Sequence, residues 1–278
     1  MIALFDKLPP HRPRDAAQAA LLLHDIQAIE VLARLVEANQ EFFAWLAEGS
    51  PFLARLIRRY PDTVVALSST PPEEYLDDLY AALQADMEQV QDRDCAIAAL
   101  RHARNRAALA IALADLADLW DVETATHYLS RLADLAVRSG LDYLLREAVS
   151  DGRLKEFSRD GLVVLALGKH GGQELNYSSD IDFVVYYTAN ALPLVDGQDA
   201  RKFHIKLVQD LTALLQNVTA DGFVFRVDLR LRPDPGATPV TITVDAALSY
   251  YESMGQNWER AVYIKARPIA GDVAEGAK

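Results

Sequence analysis

The hydrophobic period of this chain changes once, at about Gly161, and that change restricts the fold to a helical region followed by a region built on a sheet. From about Asp15 to Val149 apolar residues recur at three- and four-residue steps: Leu22, Ile26, Ile29, Ala33 and Val36 in one stretch, Leu109, Leu113, Leu116 and Leu119 in another. Breaks at Gly49 to Pro51, Ser68 to Pro72, near Asp121 and at Gly140 predict five or six helices with short connections. No fixed-period self-similarity is present, so the pattern is that of a bundle and not of a solenoid.

Past Gly161 the segment GLVVLALG reads as a short buried strand, and GKHGGQELNYSS as a glycine-rich turn. In DIDFVVYY, residues Ile181, Phe183 and Val185 alternate with Asp180, Asp182 and Val184, as on a second strand. Ala200 to Val218 reads as an amphipathic helix. GFVFRVDLRLRP alternates again, with Phe223, Phe225, Val227, Leu229 and Leu231 on one face and Arg226, Asp228, Arg230 and Arg232 on the other. A loop from Asp234 to Pro239 ends it, Thr243 caps a helix running through Asp245 to Met254, and a further helix is expected around Trp258 to Arg267. The expected class is α+β: a helical bundle over 1–155, then 156–278 as a domain with a small mixed sheet flanked by helices.

Charge and cysteine content narrow the function classes. Against 28 Lys and Arg stand 40 Asp and Glu, a formal charge of −12, which repels a phosphate backbone and argues against nucleic acid as a partner. One cysteine, Cys95, excludes an intrachain disulfide and any cysteine-rich zinc site, as suits a reducing compartment such as the cytoplasm. MIALFDKLPPHRPRDAA carries no apolar export region, and no run approaches the length of a membrane span, so an unexported chain without membrane association is expected.

Asp180 and Asp182, two apart on a strand, project to the same side, and Asp228 on a neighbouring strand adds a third carboxylate. Hard divalent cations take such oxygen ligands, so the three are the expected metal-holding and catalytic set, for two Mg²⁺ ions with Mn²⁺ as the alternative. Gly168, Gly171 and Gly172 let backbone amides approach a phosphate; Lys169 adds positive charge, and Arg230 and Arg232 suit phosphate oxygens. The turn lacks the GxxxxGK[ST] spacing of a P-loop. Each feature alone has a plainer reading: a DxD on a solvated strand end, glycines that only turn, arginines that pair with carboxylates for stability. His170 and the other histidines show no ligand spacing, and Trp258 and Tyr263 read as helix-packing aromatics. The order of strand, glycine turn, DxD strand, helix and third aspartate is what gives the set weight.

At these residues the chain resembles the polymerase beta type nucleotidyltransferase superfamily. GKHGGQELNYSSDIDF, RVDLRLRP and NWERAVYIKARPIAGD are more specifically similar to the bifunctional glutamine synthetase adenylyltransferase and adenylyl-removing enzymes, over most of Gly161 to Asp272. RVDLRLRP and NWERAVYIKAR resemble the N-terminal half of that family, whose C-terminal copy tends to carry an acidic residue at the position of Arg226. A start at Met1 followed by helices also matches that half, and a chain that stops at Lys278 is expected to cover roughly the first third of such a bifunctional enzyme. The resemblance implies phosphorolysis of an AMP-tyrosine bond on glutamine synthetase, with orthophosphate as nucleophile and ADP as product. It implies that Asp180, Asp182 and Asp228 hold the metals, that Ser178 and Ser179 contact phosphate or position the strand, and that Arg230 and Arg232 neutralise phosphate charge. Where the family often has two glycines after RLRP, this chain has Asp234, Pro235, Gly236, Ala237, Thr238 and Pro239. Forward transfer of AMP from ATP, or a non-catalytic module recognising the PII signalling protein, remain the alternatives.

Overall fold

A computed structural model describes residues 13–277; the first twelve residues, where the N-terminal reading above begins, and Lys278 lie outside the described residues. Among the described residues eight α-helices precede the first strand: α1 Ala16–Gln27, α2 Ala33–Ala38, α3 Gln40–Gly49, α4 Pro51–Arg59, α5 Pro61–Leu67, α6 Pro72–Gln89, α7 Arg93–Leu116 and α8 Val122–Ser150. The breaks expected at Gly49, Ser68 and Asp121 are present, but the bundle is cut more finely than the apolar spacing suggests. Proline fixes the expected start at Pro51 and an extra one at Pro61, because the two residues occupy the first turns of α4 and α5, where a missing N–H is harmless. Ser50 accepts the Leu53 N–H at 3.3 Å, and Asp15 caps α1 by accepting from Ala17 and Gln18.

Gly140 is a correction. It lies inside α8, not at a break, and a Cβ there would come within 3.1 Å of Leu211 and Leu214 on the later helix Ala200–Gln216. The glycine records a close helix approach that outweighs its poor helix propensity.

The described residues form two compact units, one comprising those up to Ala82 with Ala103–Tyr128, the other Leu83–His102 with those from Leu129 onward. The first is wholly helical, with Ile26, Leu32, Phe43, Ile57 and Val64 buried at its centre and the Tyr80 hydroxyl donating to the Tyr128 carbonyl at 2.9 Å.

The second unit carries the sheet. Strand β1, Leu162–Ala166, pairs antiparallel with β2, Ile181–Tyr187, on one side and with β5, Arg267–Gly271, on the other. Along its far edge β2 pairs in parallel with two short strands, β3, Val227–Asp228, beside its start and β4, Thr241–Thr243, beside its end. The sheet is therefore small and mixed, and with its helices gives the expected α+β class. Its helices are α9, Gly168–Gly171; α10, Ala200–Gln216; α11, Val244–Ser253; α12, Asn257–Val262; and α13, Val273–Gly276. Thr243 caps α11 by accepting the Ala246 N–H, as expected.

Two sequence expectations change here. The alternating run from Phe223 to Leu231 forms a strand only at Val227–Asp228. Val224 and Phe225 give their N–H groups to the Leu215 carbonyl, and Arg230 gives its own to the Asp228 carboxylate, so neither flank is free to continue the ladder. The helix expected through Arg267 stops at Val262, passes through one 3₁₀ turn, and becomes β5. Trp258, expected to pack, is 57% exposed, whereas Tyr263 is partly buried and joins its hydroxyl to those of Tyr186 and Tyr251. No described helix is long and apolar enough to cross a membrane.

Candidate active site

The register between β2 and β3 sets the geometry, because Asp182 and Asp228 are direct partners in the parallel pair and so present carboxylates side by side. Asp182 is half-buried and Asp228 is 15% exposed. Burial, then the charges of Asp228 and Asp180, push the Asp182 carboxyl up to about 6, with Arg230 and Lys169 pulling the other way. Asp228 moves in the opposite direction: hydrogen bonds from Arg230 hold it below the usual carboxylate range. The Arg230 Nε lies 3.0 and 2.9 Å from the two Asp228 oxygens, while the guanidinium remains 82% exposed at the mouth of the cluster.

Asp180, just ahead of β2, is turned to Arg226, whose Nε donates to it at 2.5 Å while another N–H reaches the Ser178 carbonyl. Asn176 organises that turn, accepting from the Ser178 N–H at 3.1 Å and from the Ser179 hydroxyl at 2.9 Å. Ser178 and Ser179 thus shape the approach to β2. Among the described residues no three His, Cys, Asp or Glu side chains converge on one cation position. The structure brings Asp182 and Asp228 abreast and leaves Asp180 close enough to act on Asp182 by charge.

The glycine turn stands directly against this pair. Gly168 has φ of 54°, and a Cβ on it would lie 2.9 Å from Asp182 Oδ2, so a side chain would displace the carboxylate. Gly171 is pressed on the chain at Lys265, where a Cβ would meet the carbonyl oxygen at 2.1 Å. Lys169 is exposed on α9. Arg232 donates to the carbonyls of Leu229, Pro235, Thr238 and Pro239, and so ties down the loop that stands where the family often has two glycines.

Sequence reasoning missed the support beneath the turn. His170, read as an ordinary residue, is completely buried with Nε2 2.9 Å from Asp134 on α8. Arg267 on β5 forks onto the same carboxylate at 2.5 and 3.0 Å and also donates to the carbonyls of His170 and Gly171. Burial pushes the Asp134 carboxyl up, but the hydrogen bonds from His170 and Arg267 outweigh it and hold it below its ordinary value. Nothing local marks Asp134, which sits 133 residues from its arginine.

Residues 41–278 match the glutamate-ammonia ligase adenylyltransferase family. The chain belongs to this family. Similar proteins, each described as a bifunctional glutamine synthetase adenylyltransferase/adenylyl-removing enzyme, come from several bacteria. The protein of Xanthobacter autotrophicus is 48% identical over 83% of this chain and 24% of its own length. That of Mesorhizobium japonicum is 43% identical over 95% of this chain and 28% of its own, and that of Caulobacter vibrioides 40% over 100% and 29%. The chain spans about a quarter of the length of the relatives it matches.

Proposed function

We propose that this chain removes AMP from a tyrosine of glutamine synthetase by phosphorolysis, releasing ADP, in a site centred on Asp182 and Asp228. The observation that carries the reading is the parallel register that sets these two carboxylates abreast, against a glycine whose missing side chain leaves room for one of them. The family supplies the substrate class, since its relatives are named for adding AMP to and removing it from glutamine synthetase. The direction rests on the resemblance of RVDLRLRP and NWERAVYIKAR to the adenylyl-removing half.

The donor set suits Mg²⁺ or Mn²⁺: the oxygens are hard, and their mutual repulsion, visible in the raised Asp182, is relieved by a cation. Asp182 and Asp228, with Asp180 beside them, would hold it, and it would supply polarisation of the phosphoryl oxygens and of the leaving tyrosyl oxygen. The chain's own groups do the rest. The exposed outer edge of Arg230 meets the entering phosphate, and Lys169 on the glycine turn adds a second positive charge. Arg226 holds the Ser178–Asp180 turn in place. An oxygen of hydrogen phosphate bonds to the AMP phosphorus as the bond from that phosphorus to the tyrosyl oxygen breaks. The proton of the phosphate passes to the tyrosyl oxygen, so the products are ADP and an unmodified tyrosine, and no side chain has to act as general base.

The test is incubation of the chain with AMP-tyrosyl glutamine synthetase, Mg²⁺ and radiolabelled orthophosphate. Label appearing in ADP supports phosphorolysis. Incorporation of AMP from ATP into unmodified glutamine synthetase, without labelled ADP, would replace it with the forward reaction.

A further inference from the structure

A second site lies in the sheet-bearing unit and shares no residue with the carboxylate cluster. The end of α6, the middle of α8 and the segment after it enclose a cavity of about 300 Å³, lined by Met87, Leu135 and Phe157 on its apolar side and by Arg138, Arg146 and Arg159 on its polar side. That volume is at the lower end of small-molecule pockets. Three guanidiniums around one cavity are unexpected in a chain of formal charge −12.

Charge accounting within the lining separates the three. Only two carboxylates, Glu88 and Asp142, line the cavity, and both act on Arg159, which forks onto Asp142 at 2.6 and 2.7 Å and lies 5.1 Å from the Phe157 ring centre. Arg138 and Arg146 have no carboxylate partner among the described residues. Arg138 donates its Nε to the Ile269 carbonyl at 3.1 Å, and Arg146 donates one N–H to the Met87 carbonyl. Each bond uses one of the five N–H groups of a guanidinium and aims the planar head without neutralising it. Two oriented, uncompensated arginines beside a wall of Leu135, Met87 and Phe157 form a receptor for an anion with an apolar body.

We propose that this cavity binds a small organic anion, a carboxylate or a phosphate monoester whose charged head lies between Arg138 and Arg146 and whose apolar part faces Leu135 and Phe157. The site stands independently of the phosphorolysis reading. Because Arg138 is bonded to β5, and Arg267 on the same strand holds the carbonyls of the glycine turn, an occupant borders the element that supports the carboxylate pair.

The experiment titrates the intact chain with phenyl phosphate, phenylacetate and neutral phenylacetamide at constant ionic strength, following the Nε–H resonances of the arginines by NMR. The expected result is saturable shifts of Arg138 and Arg146 with one or both anions and none with the amide; which anion binds tighter identifies the head group. Arg138→Gln, at an exposed position, weakens binding by about tenfold or more, the usual effect of removing a hydrogen bond to a charged group. Glu88→Gln strengthens it several-fold by removing a negative charge from the lining. Non-saturable shifts, equal shifts with the amide, or an affinity indifferent to both substitutions would overturn the proposal.

Discussion

Replacing Asp182 by Asn should make the metal-free protein more stable while disabling it, because the fold holds that carboxylate at an unfavourable position. Its carboxyl moves from 3.8 to about 6, raised by burial and by Asp228 and Asp180. Two units correspond to about 3 kcal/mol at ~1.36 kcal/mol per unit. The group is half-exposed, so solvent screening reduces this to about 1.5 kcal/mol. The sign follows from linkage: the folded state binds this proton more tightly than the unfolded chain, so the unfavourable contribution is absent below the unfolded value, 3.8, and complete once pH has risen past about 6. Asparagine has nearly the same volume and no charge at either pH. In metal-free buffer at about pH 8 the variant should melt about 3–5 °C above the parent, and at about pH 4 the two should nearly coincide. A variant less stable than the parent at the higher pH, or a gain of equal size at both, would refute the electrostatic reasoning.

Other expectations follow from the same geometry. Gly168→Ala places a methyl 2.9 Å from the Asp182 carboxylate at a φ of 54°; it should lower stability by about 1–2 kcal/mol in urea and reduce turnover. Asp134→Asn breaks the fork with Arg267 and the bond to His170 beneath the glycine turn, and urea titration should show a loss of about 3 kcal/mol. Gly140→Val drives side-chain atoms into Leu211 and Leu214 and should destabilise by about 1–3 kcal/mol, with Gly140→Ala milder on the same denaturation curve.

What the sequence made legible is what short-range chemistry determines. The apolar run at Leu162–Ala166, the glycine turn, the DxD strand, α10 and the Thr243 cap all carry their signals within a few residues. The alternation from Phe223 to Leu231 misled because a strand needs a partner along its whole length, and here the backbone groups before Val227 are taken by Leu215 and those after Asp228 by a carboxylate. β5 was missed for a related reason: it is an edge strand that pairs only with β1, contains Pro268, and follows a helical pattern without a break. Asp182 and Asp228 were legible as a pair because each lies in a short alternating segment of its own, and the parallel register of β2 and β3 makes them partners. The buried Asp134–His170–Arg267 support was not, since it joins α8, α9 and β5 and depends wholly on tertiary structure. The hydrogen bonds of Arg232 to the carbonyls of its own loop were not legible in the alternation, since they depend on how that loop folds back.

The most direct test of the central claim is a single-turnover measurement of phosphate-dependent ADP release from AMP-tyrosyl glutamine synthetase, comparing the parent chain with Asp182→Asn under conditions where both are folded. The account predicts ADP from the parent and a rate lower by about a thousandfold or more in the variant, the loss of several kcal/mol of transition-state stabilisation, despite its higher melting temperature. ADP release by the variant at a rate within a few-fold of the parent would contradict the assignment of the Asp182–Asp228 pair as the reacting centre.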